Sequence, residues 1–265
     1  MIRVCLAGAT GWVGRGLVSA IAAEPDLVLV AAVARSGAGR PLAEALGAPA
    51  PEIRVSASVA EALAKPCDVL VDFTAPAAVK GHVLEAVRRE VAAVIGTSGL
   101  TEEDFAAIDA AAREHRVGVL AAGNFALTAV LLQRFAEIAA RHLPSWEILE
   151  YGKFDKPDAP SGTARELAAR LSRVRRPEVA TPADRTHGAK EARGADLSGT
   201  PVHSVRLPGF VSSIEILFGQ PDERLSIRHD SGSGARPYVA GTLLAVRRVR
   251  DFVGLKRGLD SVLEL

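Results

Sequence analysis

The amino-acid sequence predicts an α/β protein, in which a Rossmann-type parallel sheet domain carries an inserted α+β domain. Up to about residue 122, near-continuous apolar runs alternate with helical stretches, a pattern typical of a parallel sheet covered on both faces. After about residue 123 the strands follow one another with short turns, which favours an antiparallel or mixed sheet. A cluster of glycines after the first apolar run marks the point where the first strand turns into a helix.

Each element of the first part follows from its local pattern. Apolar runs at 2–6, 27–33, 67–73, 91–95 and 117–121 predict strands, and the segments at 12–23, 58–64, 77–88 and 102–115 predict the helices between them. Thr101 and Asp104 have the spacing of a capping box, and Pro76 suits the first turn of a helix.

The second part is predicted to begin with a helix at 127–142 and a strand at 145–153. Thr163 and Glu166 have capping-box spacing, so a further helix is expected to begin at 163. Strands are predicted at 202–207, 212–218 and 224–229, and closing helices at 238–250 and 256–264. The polar stretch 173–199 is interpreted as a substrate lid, a subunit-contact arm or a solvated loop.

Composition excludes several classes of protein. The 265 residues carry a formal net charge of +1, which gives no argument for a nucleic-acid or polybasic membrane partner. No apolar stretch approaches the ~20 residues needed to span a bilayer, and no signal peptide precedes the first strand. Cys5 and Cys67 lie in apolar runs, so we expect free thiols in a reducing cytoplasm.

The glycine turn predicts a dinucleotide site. Gly8, Gly11 and Gly14 follow the strand at 2–6 and open the helix at 12–23. Residues without a Cβ let backbone N–H groups approach a pyrophosphate, and the helix directs its positive end at the same anion. The alternative is a plain strand-to-helix turn. On the dinucleotide interpretation, residues 1–123 and 236–265 are expected to form the dinucleotide-binding domain, and residues 124–235 the inserted α+β domain.

The end of the second strand predicts the coenzyme. A site for the adenosine ribose diol usually has Asp or Glu here, whereas this chain reads Val33-Ala34-Arg35-Ser36. The Arg35 guanidinium suits a phosphate. The sequence therefore predicts NADPH as the preferred coenzyme, with NADH possible; the alternative is that Arg35 stacks on the adenine or points to solvent.

Three small-residue loops follow later strands of the same domain, at 72–76, 96–100 and 122–125. Ligands of an open parallel sheet bind at the carboxyl ends of its strands. These loops are therefore expected to contact the ribose and nicotinamide.

The segment 150–166 predicts an anion site. Ser161, Gly162 and Thr163 place amides and hydroxyls at the start of a helix, with Lys156 and Lys153 nearby. A carboxylate substrate is the expected ligand, and the alternative is a well-capped helix with solvated lysines. His203 and His229 are interpreted as structural residues. No metal is expected, because partners at metal-ligand spacing are lacking for His82, His115 and His187.

Several ordered motifs resemble the dihydrodipicolinate reductase family, also called 4-hydroxy-tetrahydrodipicolinate reductases, along almost the whole chain. They are GATGWVG at 8–14, VDFTAP at 71–76, GTSGL at 96–100, GNF at 123–125, KPDAPSGTA at 156–164, HSVRLPGF at 203–210 and ERLSIRHDS at 223–231. The resemblance implies hydride transfer from a nicotinamide to a cyclic unsaturated dicarboxylate imine in lysine and diaminopimelate biosynthesis. It also implies that residues 124–235 form a substrate-binding and oligomerisation domain, whose sheet builds a homotetramer.

The resemblance assigns roles residue by residue. Lys156, Ser161, Gly162 and Thr163 match positions that hold substrate carboxylates. The positions that match the coenzyme shell are Gly8, Gly11, Gly14, Arg35, Phe73, Gly96, Thr97, Ala122 and Phe125. We add to the coenzyme site the neighbours in the same turn and loops, which are Thr10, Trp12, Val13, Thr74, Ser98 and Asn124.

One departure from the family pattern concerns the proton donor. The family carries two adjacent histidines, one of them assigned as the donor, where this chain has Gly152 and Lys153. Lys156, Lys153 or a bound water could substitute. Three functions therefore stay open: the family reaction with another proton source, reduction of another cyclic imine or carbonyl acid, and a non-catalytic nucleotide-binding regulator.

Overall fold

The chain folds into two compact units. A computed structural model describes residues 1–264. The first unit contains Met1–Leu127 and the chain from Ala235 onward, and the second contains Thr128–Gly234.

The first unit is a parallel sheet with helices between its strands. Its elements up to residue 121 are β1 (Ile2–Ala7), α1 (Trp12–Ala23), β2 (Leu27–Val33), α2 (Leu42–Leu46), β3 (Val55–Ser56), α3 (Val59–Ala62), β4 (Val69–Asp72), α4 (Pro76–Arg88), β5 (Ala92–Ile95), α5 (Glu102–Glu114) and β6 (Gly118–Ala121).

The second unit combines two long helices with a five-stranded sheet. Its elements are α6 (Leu127–His142), β7 (Ser145–Gly152), α7 (Gly162–Val174), β8 (Ala195–Leu197), β9 (Thr200–Arg206), β10 (Ser212–Gln220) and β11 (Glu223–Ser231). The chain then returns to the first unit with α8 (Arg236–Arg248) and β12 (Gly254–Arg257).

Strand order in the first unit creates a switch point. The order is β12-β6-β5-β4-β1-β2-β3, and every neighbouring pair is parallel. The chain therefore builds β1 to β3 in one direction and β4 onward in the other. The loops after β1 and β4 flank the point where the direction reverses, which is where open α/β sheets bind their ligands. The predicted fold class is confirmed.

The sheet of the first unit is buried because helices cover it. All four residues of β4, β5 and β6 are buried. Alternate side chains of these strands share a core with Val83 of α4 and Ile108 of α5. The predicted capping box of α5 is present, since Thr101 Oγ1 accepts the Asp104 N–H at 3.2 Å and Asp104 Oδ2 accepts the Thr101 N–H at 3.0 Å.

The second unit has a mixed sheet in the order β11-β10-β7-β9-β8, in which only the β7–β9 pair is parallel. Burial alternates along β7, so that Trp146, Ile148, Glu150 and Gly152 are buried. The apolar members of this face pack with α7 residues such as Leu167 in one core. The carboxylate of Glu150 thus lies on the core face, next to the segment that leads into α7.

Some predicted elements are wrong. The helix expected at 256–264 is instead the seventh parallel strand, β12, followed by a 3₁₀ turn at Leu259–Val262. Gly254 and Gly258 explain this, because their φ angles of +89° and +86° are incompatible with an α-helix. The short elements α2 and β3 were not predicted. The polar stretch 173–199 contains two 3₁₀ turns and the edge strand β8.

Across residues 1–264, no helix combines the length and the hydropathy that crossing a bilayer requires.

Candidate functional site

The glycine turn after β1 depends on two close backbone contacts. Gly8 has a φ of +86°, and a Cβ there would lie 2.2 Å from the Phe73 carbonyl oxygen. A Cβ on Gly14 would lie 2.1 Å from the Gly8 carbonyl oxygen. Glycine is therefore required at both positions, because each lets the turn contact the backbone of a neighbouring segment.

The start of α1 offers free backbone donors. Gly11 is the N-cap residue, its own N–H donates to the Gly8 carbonyl at 2.9 Å, and no side chain caps the helix. The amides of Trp12, Val13 and Gly14 have no acceptor within the helix. No acidic residue lies in the first turn. The arrangement is suited to bind a phosphate group.

Two polar side chains follow β2 beside this turn. Arg35 is exposed, and among residues 1–264 its guanidinium has no hydrogen-bond or ion-pair partner. The Ser36 hydroxyl lies 3.2 Å from the Thr10 hydroxyl. The ring of Trp12, on the first turn of α1, makes an edge contact with Tyr238 at 5.6 Å between centroids. An unpaired guanidinium in this place is suited to a second phosphate.

Asp72 begins the predicted loop 72–76, and it joins two of the loops, a role that sequence analysis did not predict. Its side chain is fully buried, and Oδ1 accepts hydrogen bonds from the Thr74 N–H and hydroxyl and from the Thr97 hydroxyl, at 3.0, 2.7 and 2.8 Å. The other oxygen, Oδ2, lies 2.8 Å from His82 Nδ1. The signal available in the sequence was an aspartate that ends an otherwise apolar strand.

Aromatic packing fixes the same edge of the sheet. A Cβ on Gly96 would lie 2.1 Å from the Phe73 ring, so glycine is required for the ring to lie there. Phe73 and the buried Phe125 are in tilted contact at 5.6 Å between centroids. Asn124 Oδ1 accepts the Ala126 N–H at 2.8 Å, so its side chain shapes the turn.

The other predicted coenzyme residues lie on the same loops. Ala122 is buried just after β6, and Ser98 is exposed without a hydrogen-bond partner in the part of the chain that the structure describes. The structure thus brings the glycine turn, the Phe73–Thr74 loop and the Gly96–Thr97 loop together around the switch point.

The anion site of the second unit begins at Ser161, the N-cap residue of α7. Its hydroxyl oxygen accepts the Ala164 N–H at 3.3 Å, so the predicted Thr163–Glu166 capping box is wrong and the helix begins at Gly162. The Ser161 N–H donates to Glu150 Oε1 at 3.3 Å. The amides of Gly162 and Thr163 remain without acceptors within the helix.

Cations surround this helix end. Lys156 forms an ion pair with Asp158, which lowers the pKa of that carboxyl below its usual range. Arg165, on the first turn of α7, donates a hydrogen bond to the Pro160 carbonyl. Lys153 is exposed, without a partner among residues 1–264. The charge of Arg165 on the first turn adds to the positive end of the helix dipole. The site as a whole therefore favours a negatively charged ligand.

A half-buried arginine, also missed in the sequence analysis, lies behind the site. Arg206 Nη2 donates to Glu150 Oε1 and to the Asp158 carbonyl oxygen, both at 2.6 Å. A Cβ on Gly152 would lie 3.1 Å from the guanidinium of Arg206 and 3.1 Å from Lys156 Cδ. These two side chains therefore occupy the space that a side chain at 152 would need.

The two histidines in the strands of the second unit have partners of their own. His203 Nε2 lies 2.8 Å from Glu147 Oε2, and His229 Nδ1 lies 2.9 Å from the Thr128 hydroxyl. Burial lowers the pKa of His229. Within residues 1–264, no group of three or more His, Cys, Asp or Glu side chains is arranged to hold a metal ion.

Comparison with known proteins gives one consistent result. The family model described as "Dihydrodipicolinate reductase, N-terminus" matches residues 2–125, and "Dihydrodipicolinate reductase, C-terminus" matches residues 128–263. The 4-hydroxy-tetrahydrodipicolinate reductase of Halalkalibacterium halodurans is 39% identical over 265 residues, covering 100% of both chains. That of Desulfitobacterium hafniense is 40% identical over 266 residues, covering 99% of each.

Solved structures agree with the sequence comparison. A dipicolinate-bound dihydrodipicolinate reductase from Paenisporosarcina sp. TG-14 superposes with a TM-score of 0.89 at 33% identity, covering 99% of this chain and 100% of that one. An amine dehydrogenase from Mycobacterium smegmatis has a TM-score of 0.65 at 16% identity, covering 100% and 96%, and shares the fold alone.

Proposed function

The chain belongs to the dihydrodipicolinate reductase family, and on that premise we propose that it reduces 4-hydroxy-tetrahydrodipicolinate to tetrahydrodipicolinate with NAD(P)H, in lysine and diaminopimelate biosynthesis. The observation that carries the proposal is the pairing of two sites in one chain. One is the glycine turn with free amides at the start of α1, and the other is the cation-lined start of α7.

The residues of the first unit fit a nicotinamide coenzyme. Gly8 and Gly14 keep the space that a Cβ would fill, and the amides at the start of α1 would hold the pyrophosphate. Arg35, exposed and unpaired in the described chain, would hold the 2′-phosphate of NADPH, which makes NADPH the preferred coenzyme. When bound, the coenzyme supplies the hydride.

The residues of the second unit would hold the substrate by its carboxylates. The N–H groups of Gly162 and Thr163 and the Thr163 hydroxyl are the donors, and Lys156 adds charge. Fixing the ring in this way converts hydride transfer into an intramolecular step, which lowers the barrier by several kcal/mol.

A proton must also reach the ring after the hydride. Glycine at 152 has no proton to give, and the space beside it holds Arg206 and Lys156. The Arg206 guanidinium stays protonated in proteins, so it is no donor. We assign the proton to Lys156, whose stem contacts Gly152, with the exposed Lys153 as the second candidate.

Self-association is part of the proposal. Alternate residues of β7 and β10, among them Tyr151, Glu215 and Leu217, lie on the face of the sheet that is only partly buried in one chain. A homotetramer built through this sheet would cover that face. Light scattering on the purified protein measures the mass directly.

The direct test is oxidation of NADPH by the purified protein with freshly generated substrate. We expect turnover, inhibition by dipicolinate, and a KM about 10-fold or more higher in Thr163→Val, because a hydrogen bond to a charged group is lost. Thr186→Val, in the 173–199 stretch, is the control. Binding of NADPH and dipicolinate without turnover would contradict the proposed reaction.

A further inference from the structure

The segment between β7 and α7 is held by one side chain from a different strand. Arg206 is the last residue of β9, and in the parallel ladder it lies opposite Gly152, the last residue of β7. The segment that leaves β7 at Gly152 reaches the substrate donors at Gly162 and Thr163. Its conformation decides where those donors lie.

Arg206 contacts this segment at three places. Its guanidinium packs against Gly152, and Nη2 donates to the Asp158 carbonyl oxygen at 2.6 Å. The same Nη2 donates to Glu150 Oε1 at 2.6 Å, and that oxygen accepts the Ser161 N–H at 3.3 Å. The start, the middle and the end of the segment are therefore tied to one guanidinium, directly or through one carboxylate.

The Glu150–Arg206 pair is largely shielded from solvent. Glu150 is 1% exposed and the Arg206 side chain 16% exposed. A buried carboxylate whose partner is removed becomes an uncompensated charge. The Ser161 N–H is therefore held by an acceptor that is itself hydrogen-bonded by Arg206.

The bare backbone at Gly152 gives this contact room. A Cβ there would be 3.1 Å from Arg206 Cζ and Nη1, a tight contact that the guanidinium would relieve only by moving a few tenths of an ångström. In the family pattern this position carries a histidine, and here the guanidinium takes up the space beside the bare backbone.

We propose that Arg206 is a positioning residue for the substrate: through the Asp158 carbonyl and through Glu150 it sets the segment that presents Gly162 and Thr163 to a substrate carboxylate. The proposal rests on the proposed function of the α7 start. Arg206 bonds to the protein and acts through Glu150 and the segment, so it controls substrate affinity more than the chemical step.

The test uses Arg206→Lys, Arg206→Met and Glu150→Gln in the full-length protein. For each we measure the inhibition constant of dipicolinate, KM and kcat for the substrate, the Kd of NADPH, and the thermal unfolding midpoint. The matched controls are Arg170→Lys and Arg170→Met, because Arg170 pairs with Glu137 at 3.1 Å in the same unit with similar exposures of 14% and 13%. Arg170 lies on α7 and Glu137 on α6, so this control pair joins the two long helices of the unit.

We expect the dipicolinate constant and KM to rise about 10- to 100-fold in Arg206→Met, because charge-assisted hydrogen bonds that order the site are lost. Arg206→Lys should recover part of the loss, since a lysine keeps the charge without the fork of donors. The change in kcat should be smaller than the change in KM, and the Kd of NADPH should stay within 2-fold.

If the role of Arg206 is purely structural, its variants lower the unfolding midpoint but have the same inhibition constant for dipicolinate as the Arg170 variants. That result overturns the proposal. If Arg206→Met fails to fold, Arg206→Lys and Glu150→Gln provide the test. Wild-type affinity for dipicolinate in both variants also overturns the proposal. Wild-type protein that neither retains dipicolinate nor turns over substrate contradicts the proposed function instead.

Discussion

Replacing Gly14 with alanine is a sharp test of the nucleotide site. A Cβ at this position would lie 2.1 Å from the Gly8 carbonyl oxygen and 2.9 Å from the C and Cα atoms of Ala9. All three are backbone atoms, so no side-chain rotation relieves the clash and the turn itself must move. Gly16→Ala is the matched control on α1, because its nearest neighbour would be Val239 Cγ2 at an ordinary 3.5 Å.

The magnitude follows from two opposing effects. Alanine in a helix is favoured over glycine by about 1 kcal/mol, whereas overpacking of this severity costs about 3 kcal/mol. Gly14→Ala should therefore lose about 2 kcal/mol of unfolding free energy, which for a chain of this size lowers the melting temperature by about 4–8 °C. Gly16→Ala should gain up to about 1 kcal/mol.

Coenzyme binding should separate the two variants further. The Gly8 carbonyl that must move accepts the Gly11 N–H at 2.9 Å, so moving it disturbs the amides that would face the phosphate. Loss of one hydrogen bond to a charged group costs about 1.5–3 kcal/mol, equivalent to a Kd for NADPH that is about 10- to 150-fold higher. Fluorescence titration and thermal unfolding of both variants provide the assay. If Gly14→Ala matches Gly16→Ala in melting temperature and in Kd, the steric reasoning is refuted.

Three further predictions concern the coenzyme, the proton and pH. Arg35→Ala should lower kcat/KM for NADPH about 10-fold or more, because a charge-assisted contact to the phosphate is lost, and should leave kcat/KM for NADH little changed. The melting temperature should also change little, since the guanidinium has no partner within residues 1–264. An unchanged NADPH-to-NADH ratio of kcat/KM defeats the assignment. Lys156→Gln should lower kcat about 10²- to 10⁴-fold if it is the general acid, and Lys153→Gln only several-fold; full turnover in both variants, followed against pH, would exclude them as donors. Burial lowers the pKa of His229 from its usual 6.5, so the unfolded chain binds the extra proton and stability should fall as pH drops below about 6.5. In thermal unfolding, His229→Gln should reduce this fall in stability at low pH, and His187→Gln, at an exposed histidine, should not. Equal dependence of the melting temperature on pH in wild type and His229→Gln would contradict the role assigned to His229.

Local sequence patterns were sufficient for most of the parallel-sheet unit. Its strands are apolar over their whole length because both faces are buried, and its helices start at recognisable residues such as Thr101 with Asp104. The turn at Gly8 was likewise readable, since tight turns that approach a ligand need residues without a Cβ. These features depend on neighbours in sequence, so the sequence alone determined them.

The rest depended on contacts between residues far apart in the chain. β12 was mistaken for a helix because its role as a sheet edge comes from pairing with β6, more than 130 residues earlier. The role of Asp72 was missed because it depends on the Thr97 and His82 side chains, which contact its carboxylate only in the folded chain. Arg206 was missed because it reaches Glu150 and Asp158 only after β9 pairs with β7. Only the tertiary structure could reveal that the space beside Gly152 is filled by a guanidinium, because no local pattern records which distant side chain occupies a gap.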